Sequence, residues 1–336
     1  MAKTIRNEFY KKLNYEKLME AHLKSRKGKG YRKEIIEFNL KQEEYIMWLT
    51  DMLKTKKYTH GGYTTFYITE PKLRKIEKSK YIDRIVHRWV VDNFLEPYFI
   101  PQFISTSYAC LKNKGMHNSC LELQKQMLHC KRIWGNYYIL KMDVAKYFQN
   151  IDKEILMRIL ERKIKDKDLL WLINEILYAQ KRTKGLEIGN YTSQTFANIY
   201  LNEVDQFVKQ QLHIKYYFRY MDDSVILTKT KQEAKHCLIE IHKYLKENLE
   251  LELNKKTQIF KSSQGVNFCG YKINEYRLKI RDKGKRKLKK KVRNLKEKIK
   301  EGKLTTKEAK KYLAGHKGYI KIANTKNLTD KLFYNE

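Results

Sequence analysis

Residues 215–228 alternate aromatic and aliphatic positions around one polar pair, within Tyr220-Met-Asp-Asp223. That alternation is the period of a β-strand, and the polar pair at its centre places a tight turn there. A hairpin makes the sheet around it antiparallel at its centre. Two adjacent carboxylates in such a segment have two readings. One is a plain turn with exposed acids, since turns favour Asp. The other is a site, and Asp143 favours it. Asp143 is the single acid at the C-terminal end of an apolar run, residues 137–144, Tyr-Tyr-Ile-Leu-Lys-Met-Asp-Val, which reads as a buried strand. If that strand neighbours the hairpin, three carboxylates converge at one sheet edge.

Converging carboxylates repel one another unless cations bind between them. Oxygen donors without soft ligands suit Mg²⁺ or Mn²⁺. Two such ions, about 3.5–4 Å apart, can activate an attacking hydroxyl and stabilise the leaving oxygen. The substrate class follows from charge. Lys and Arg number 72 against 38 acids, a net of +34. An excess of that size needs a polyanion partner, and 25 Tyr and 13 Phe point to nucleic acid. A basic chain with such carboxylates is a nucleotidyl transferase or a nuclease. The five cysteines include no C-x-x-C pair, which argues against a disulfide framework or a zinc knuckle. No run of about 18 apolar residues spans a bilayer and no apolar leader opens the chain, so the expectation is no membrane and a cytoplasmic location.

The rest of the chain supplies an α+β order. Residues 1–57 are basic and periodic and read as helices, broken at 24–33 by Gly28 and Gly30. Residues 63–69 read as a strand and 71–80 as a loop or edge strand. Residues 83–95 and 121–133 have helical spacing, as do 168–180, 193–209 and 231–248. Asp152 is placed to cap another helix. Residues 185–190 read as a turn, 249–260 and 266–273 as strands, and the chain beyond 276 as Lys-rich helix.

Tyr-Met-Asp-Asp in a hairpin, with an upstream strand ending in Asp-Val-x-x-Tyr-Phe, resembles the palm of reverse transcriptases. The resemblance covers most of the chain. It implies a right-hand polymerase fold with fingers, an RRM-like antiparallel palm sheet and a helical thumb. It also implies two Mg²⁺ ions, with Mn²⁺ able to substitute, held by Asp143, the Val144 carbonyl, Asp222 and Asp223, with Asp143 and Asp222 bridging. Lys72 and Arg74, in Pro-Lys-Leu-Arg-Lys-Ile, match the fingers residues that grip the triphosphate; a point charge and a forked donor suit phosphate oxygens. Phe148 matches the aromatic gate under the sugar, which selects dNTP over NTP by shape. Lys256 matches the lysine that protonates pyrophosphate, with Lys255 as its competitor. Phe268-Cys269-Gly270-Tyr271 resembles the primer grip.

Ile188-Gly189-Asn-Tyr-Thr-Ser-Gln194 occupies the block that most of the family writes as Gln-Gly-x-x-x-Ser-Pro. Gly189 lets the backbone approach the templating pair. Ile188 for Gln and Gln194 for Pro resemble the enzymes of diversity-generating retroelements. So do Phe-Ala-Asn at 196–198 and the segment from Gly315-His316 to Ala323-Asn324-Thr325. That resemblance implies error-prone copying of an RNA template, RNA/DNA hybrid and primer binding, and a small oligomeric accessory protein. A stand-alone enzyme of phage defence shares the palm and is the alternative; a non-catalytic RNA-binding protein on this fold is another, against which the intact acids argue.

The expected domains are N-terminal helices and fingers with the start of the palm (1–135), palm (136–275, its helices at 152–185 reaching toward the fingers) and basic thumb (276–336). The last 61 residues carry 22 Lys/Arg against 6 Asp/Glu. That concentration suits the phosphates of a duplex.

Overall fold

A computed structural model of the chain describes residues 4–69 and 73–333. They form two compact units. One comprises Met1–Ser105, Val144–Gln211 and Ile241–Glu252; the other comprises Thr106–Asp143, Leu212–Glu240 and Leu253–Glu336.

The first unit is mostly helical. Helices Tyr15–Arg26, Lys33–Leu40 and Gln42–Lys54 open it, with the basic break at Gly28 and Gly30 between the first two, where the sequence places it. Helix Tyr81–Val90 buries Ile85, Val86, Trp89 and Val90 and continues as a π-turn over Val91–Leu95. Trp89 packs edge-on against Phe9 and Phe94, with ring centroids 5.4 and 5.1 Å away. Two Asp residues stop the chain from fraying. Asp152 accepts the N–H groups of Glu154 and Ile155 at 3.0 Å and starts helix Lys153–Glu161. Asp166 caps Lys167–Leu177 the same way and, through its other oxygen, accepts the N–H groups of Glu8 and Phe9 at 2.7 and 2.9 Å. A two-stranded antiparallel ribbon projects from this unit: β1 (Tyr63–Ile68) against β2 (Arg74–Ser79).

The second unit holds the sheet that the hairpin dictates. Strands β3 (Tyr138–Asp143), β4 (Tyr217–Tyr220), β5 (Asp223–Thr228) and β6 (Gln258–Lys261) lie in the order β4-β5-β3-β6, all antiparallel. One face carries Ile139, Phe218, Val225 and Leu227. It packs with helix Met116–Trp134 and a second sheet into one apolar core. That second sheet is β7 (Val266–Phe268), β8 (Tyr271–Ile273) and β9 (Leu278–Ile280).

The strand expected over 266–273 is split by the turn at Cys269-Gly270 into β7 and β8. Two further elements differ from the sequence reading. Of the expected 249–260 strand only 258–260 is a strand, and it runs on to Lys261 as β6. Leu249 instead ends helix Lys231–Leu249, Glu250 turns left-handed at φ +49°, and the Leu251 N–H returns to the Leu245 carbonyl at 3.0 Å. That closure from residue 251 back to 245 ends the helix, and its Leu-Glu-Leu mimics strand alternation. The second difference is β9, which interrupts the expected helix with three residues whose ends are buried and whose middle faces solvent. Beyond it run helices Asp282–Lys300, Thr306–Lys321 and Lys326–Phe333. The first carries eleven Lys/Arg and buries only Leu288 and Val292. The second opens on a capping box between Thr305 and Glu308.

Candidate active site

The four-stranded sheet sets the carboxylates by register. Asp143 ends β3 directly opposite Asp223, the first residue of β5, so both side chains leave the same face. Asp222 lies between them and Tyr220, in the two-residue connection Met221-Asp222. Met221 has φ +56°, a conformation that costs a non-glycine residue about 1–3 kcal/mol. Arg219, almost wholly buried, offsets it by donating from Nη1 to the Met221 carbonyl at 3.2 Å. Its own strand is held by Arg219 N–H to Thr106 O (3.0 Å) and Tyr108 N–H to Arg219 O (3.1 Å).

One cation sits among these acids. Lys141, two residues before Asp143 and on the same strand face, is 15% exposed, and its Nζ meets Asp223 Oδ1. Burial pushes this ammonium down to about 8; the negative charges of Asp143, Cys269 and Asp222 act the other way. Among the described residues, no three His, Cys, Asp or Glu side chains gather closely enough to form a metal cluster. The acids are therefore paired (Asp143 with Asp223), with Asp222 beside them and a lysine inside. Neither Lys141 nor Arg219 figures in the sequence reading. The available signal was a lone cation in each of two otherwise apolar strands.

The loop carrying Lys256 is tied to this edge. Asn254 donates its N–H to the Asp143 carbonyl at 2.7 Å, and its Oδ1 accepts the Lys256 N–H at 3.1 Å. Lys255 and Lys256 both project into solvent. In the same unit, Phe268-Cys269-Gly270-Tyr271 forms the tight β7–β8 turn, with Phe268 and Tyr271 buried and Cys269 at φ +45°. Gly270 sits at φ +88°, where any side chain is strained, and a Cβ there would also stand 2.8 Å from Tyr319 Oη. Tyr319 donates that hydroxyl to the Gly270 carbonyl, and its own carbonyl accepts from Tyr271 Oη at 2.9 Å.

The other predicted residues belong to the first unit, where Ile188 and Gly189 dock on the strand that Arg74 opens. The Glu77 N–H donates to the Ile188 carbonyl at 3.2 Å, and Asn190 Oδ1 accepts from Ser79 Oγ at 3.0 Å. These bonds dock the 188–190 turn on β2, whose first residue, Arg74, is exposed. Phe148 is half-buried, edge-on to the buried Tyr147 at 5.7 Å, and its carbonyl accepts the Leu186 N–H at 2.7 Å. Gln194 is exposed on the first turns of helix Tyr191–Gln206. Lys72 lies outside the described residues.

Charged side chains brace that platform from below. Arg182 reaches Glu77 at 3.0 Å and Glu187 at 3.4 Å, and Lys75 reaches Glu77 at 2.8 Å. Burial opposes the Glu77 charge, but Lys75 and Arg182 outweigh it and hold the carboxyl below its usual range. Glu187 goes the other way: burial raises it despite Lys153 at 3.7 Å. Gly189 itself sits at φ +120°, and a Cβ would lie 3.1 Å from Ile76 Cγ2. Gly189→Ala should therefore cost about 1–3 kcal/mol in urea unfolding. A loss below about 0.5 kcal/mol would contradict the geometry.

Comparison with known proteins identifies the fold and then the family. A telomerase of Candida albicans, solved with a fragment of telomeric RNA, superposes with a TM-score of 0.52 at 13% identity, over 75% of this chain and 53% of that one. At such identity the likeness is one of fold, the right-hand polymerase arrangement of helices and sheet. The sequence profile described as reverse transcriptase (RNA-dependent DNA polymerase) matches residues 68–273, and the chain belongs to that family. YkfC of Escherichia coli K12 is 25% identical over 291 residues, 73% of this chain and 74% of that protein. The group II intron-encoded protein LtrA of Lactococcus lactis is 24% identical over 305 residues, 69% of this chain but only half of LtrA. Among the described residues, no helix is long and apolar enough to cross a membrane.

Proposed function

We propose that this chain copies RNA into DNA by two-metal nucleotidyl transfer, as the error-prone polymerase of a diversity-generating retroelement. The observation that carries the polymerase reading is the register of β3 on β5, which sets Asp143 against Asp223 with Asp222 in the turn. The donors suit a hard divalent cation: they are all oxygens, and a positive charge already lies against one of them. Asp143, Asp222 and Asp223, with the Val144 carbonyl, would hold Mg²⁺ or Mn²⁺. Bound there, such ions supply Lewis-acid activation of a primer 3′-hydroxyl and neutralise charge on the leaving pyrophosphate.

The chain's own groups do the rest in this reading. Arg74 and Lys72 grip the triphosphate oxygens. Phe148 excludes a ribose 2′-hydroxyl by shape. Gly189 keeps the backbone flat beneath the nascent pair. Lys256 donates a proton to pyrophosphate as the bond to the α-phosphorus breaks. The turn Phe268–Tyr271 holds the primer end, and the basic C-terminal helices bind the hybrid through its phosphates.

The retroelement assignment rests on Ile188 and Gln194. An aliphatic side chain beside the nascent pair offers the nucleotide no hydrogen bond, which lowers discrimination. Ile188→Gln should lower misincorporation opposite template adenine in primer extension on RNA with dNTPs and Mg²⁺. An unchanged error spectrum would remove Ile188 from fidelity. A wild type that incorporates nothing on any RNA template, with its accessory protein supplied, would remove the polymerase reading itself.

A further inference from the structure

We propose that Lys141 is a built-in counter-cation of the carboxylate edge, offsetting the charge of Asp143, Asp222 and Asp223 in the metal-free protein and yielding its place when a divalent ion binds. The inference rests on the assignment of those carboxylates as the metal site. Like charges directly opposite on paired strands destabilise a sheet, and the β3–β5 register imposes that arrangement on Asp143 and Asp223. Asp222 follows in the turn, so three acids occupy one edge of a small sheet. A sheet in that condition needs a cation at all times, not only during catalysis.

Lys141 fits the role by position and reach. It shares a strand face with Asp143, and across β5 it faces Val225, which offers its ammonium no partner on the strand itself. The side chain extends along the sheet to Asp223 Oδ1. From that same position the ammonium also lies near an aromatic ring. Lys141 Nζ is 5.5 Å from the centroid of the Phe268 ring, a cation–π distance. An ammonium displaced by a metal ion can therefore stay over Phe268 with little change in side-chain torsions. A long flexible point charge suits such an exchange; a planar guanidinium does not.

The consequence is competition. Each divalent ion must displace a resident positive charge, so the lysine weakens metal binding while it stabilises the empty site. Lys141→Met removes the charge at similar volume. In the full-length protein, Mn²⁺ affinity measured by electron paramagnetic resonance should tighten roughly tenfold or more. The metal-free variant should melt below wild type and regain the difference when Mn²⁺ is added. Lys141→Arg, which keeps the charge, should not tighten Mn²⁺ binding. If Lys141→Met fails to fold, Lys141→Gln serves in its place. Equal Mn²⁺ affinity in wild type and the neutral variant, at a site that Asp222→Ala abolishes, would overturn the counter-cation alone. Mn²⁺ binding indifferent to Asp222→Ala would overturn the metal-site reading and this inference with it.

Discussion

Asp222→Ala should reduce primer extension by about three orders of magnitude or more, roughly 4 kcal/mol of activation free energy. The size follows from what the residue would supply. In the proposed mechanism the carboxylate would help to hold a divalent ion that neutralises developing charge, and such interactions are worth most in a site that excludes water. Folding should be spared. Asp222 occupies a two-residue connection, and Arg219 holds that turn by donating to the Met221 carbonyl. Removing one negative charge beside the Asp143–Asp223 pair should leave the melting temperature unchanged or slightly higher. Incorporation at a tenth of wild type or more would exclude Asp222 from the chemistry. A collapse of both activity and melting temperature would make the residue structural.

Mild acid should destabilise the protein well before its carboxylates titrate. Burial holds His22 neutral down to about 4 and His87 down to about 3. Both imidazoles are fully enclosed: His22 stacks on Phe38 at 4.8 Å and bonds Tyr81 Oη, and His87 meets Thr192 Oγ1 at 3.2 Å. In the unfolded chain each titrates near 6.5. Below that pH the unfolded state takes up protons that the native state refuses. Stability is therefore complete above about pH 7 and falls as pH drops through 6.5 toward 4. The two groups together should cost roughly 2 kcal/mol between pH 6.5 and 5.5, a fall of about 4–8 °C in melting temperature. His87→Leu should melt lower at pH 7.5, having lost the Thr192 bond, but should show a shallower decline with acid. Parallel declines for wild type and variant would show that His87 is not the group responsible.

The palm was legible because two independent periodicities met there. Residues 137–144 form an apolar run of strand length, and 215–228 alternate around a turn, so β3, β4 and β5 follow from pattern alone. What pattern could not supply was register. The pairing of Asp143 with Asp223, and the cation drawn between them, are cross-strand facts that no local window contains. The misread strand at 249–257 fails for a related reason. Leu249 and Leu251 are both buried, as strand alternation requires, yet they flank a left-handed Glu250 that closes a helix. Strand β9 was hidden by composition, because Leu278 and Ile280 sit in a run dominated by Lys and Arg. The motif residues of the first unit were recognisable one by one. That Gly189 and Asn190 dock on β2 through Ile76 and Ser79 depends on chain segments more than a hundred residues apart.

Tyr319 and Asn324 give the C-terminal region an unexpected rigidity of spacing. Tyr319 seats its hydroxyl on Gly270, while Asn324 flanks β9, donating its N–H to Leu278 O at 2.7 Å and accepting the Leu278 N–H at 2.8 Å. Both anchors grip the same three-stranded sheet, five residues apart in sequence. Among the described residues, no hydrogen bond ties the turn between Lys300 and Thr306 to that sheet, and its glycine, Gly302, has open space where a side chain would go. Length variation among descendants of this chain should therefore accumulate at 301–305 and avoid 319–324. A fused tag or an inserted domain belongs in the first stretch, whereas a single added residue in the second would pull one anchor off the sheet.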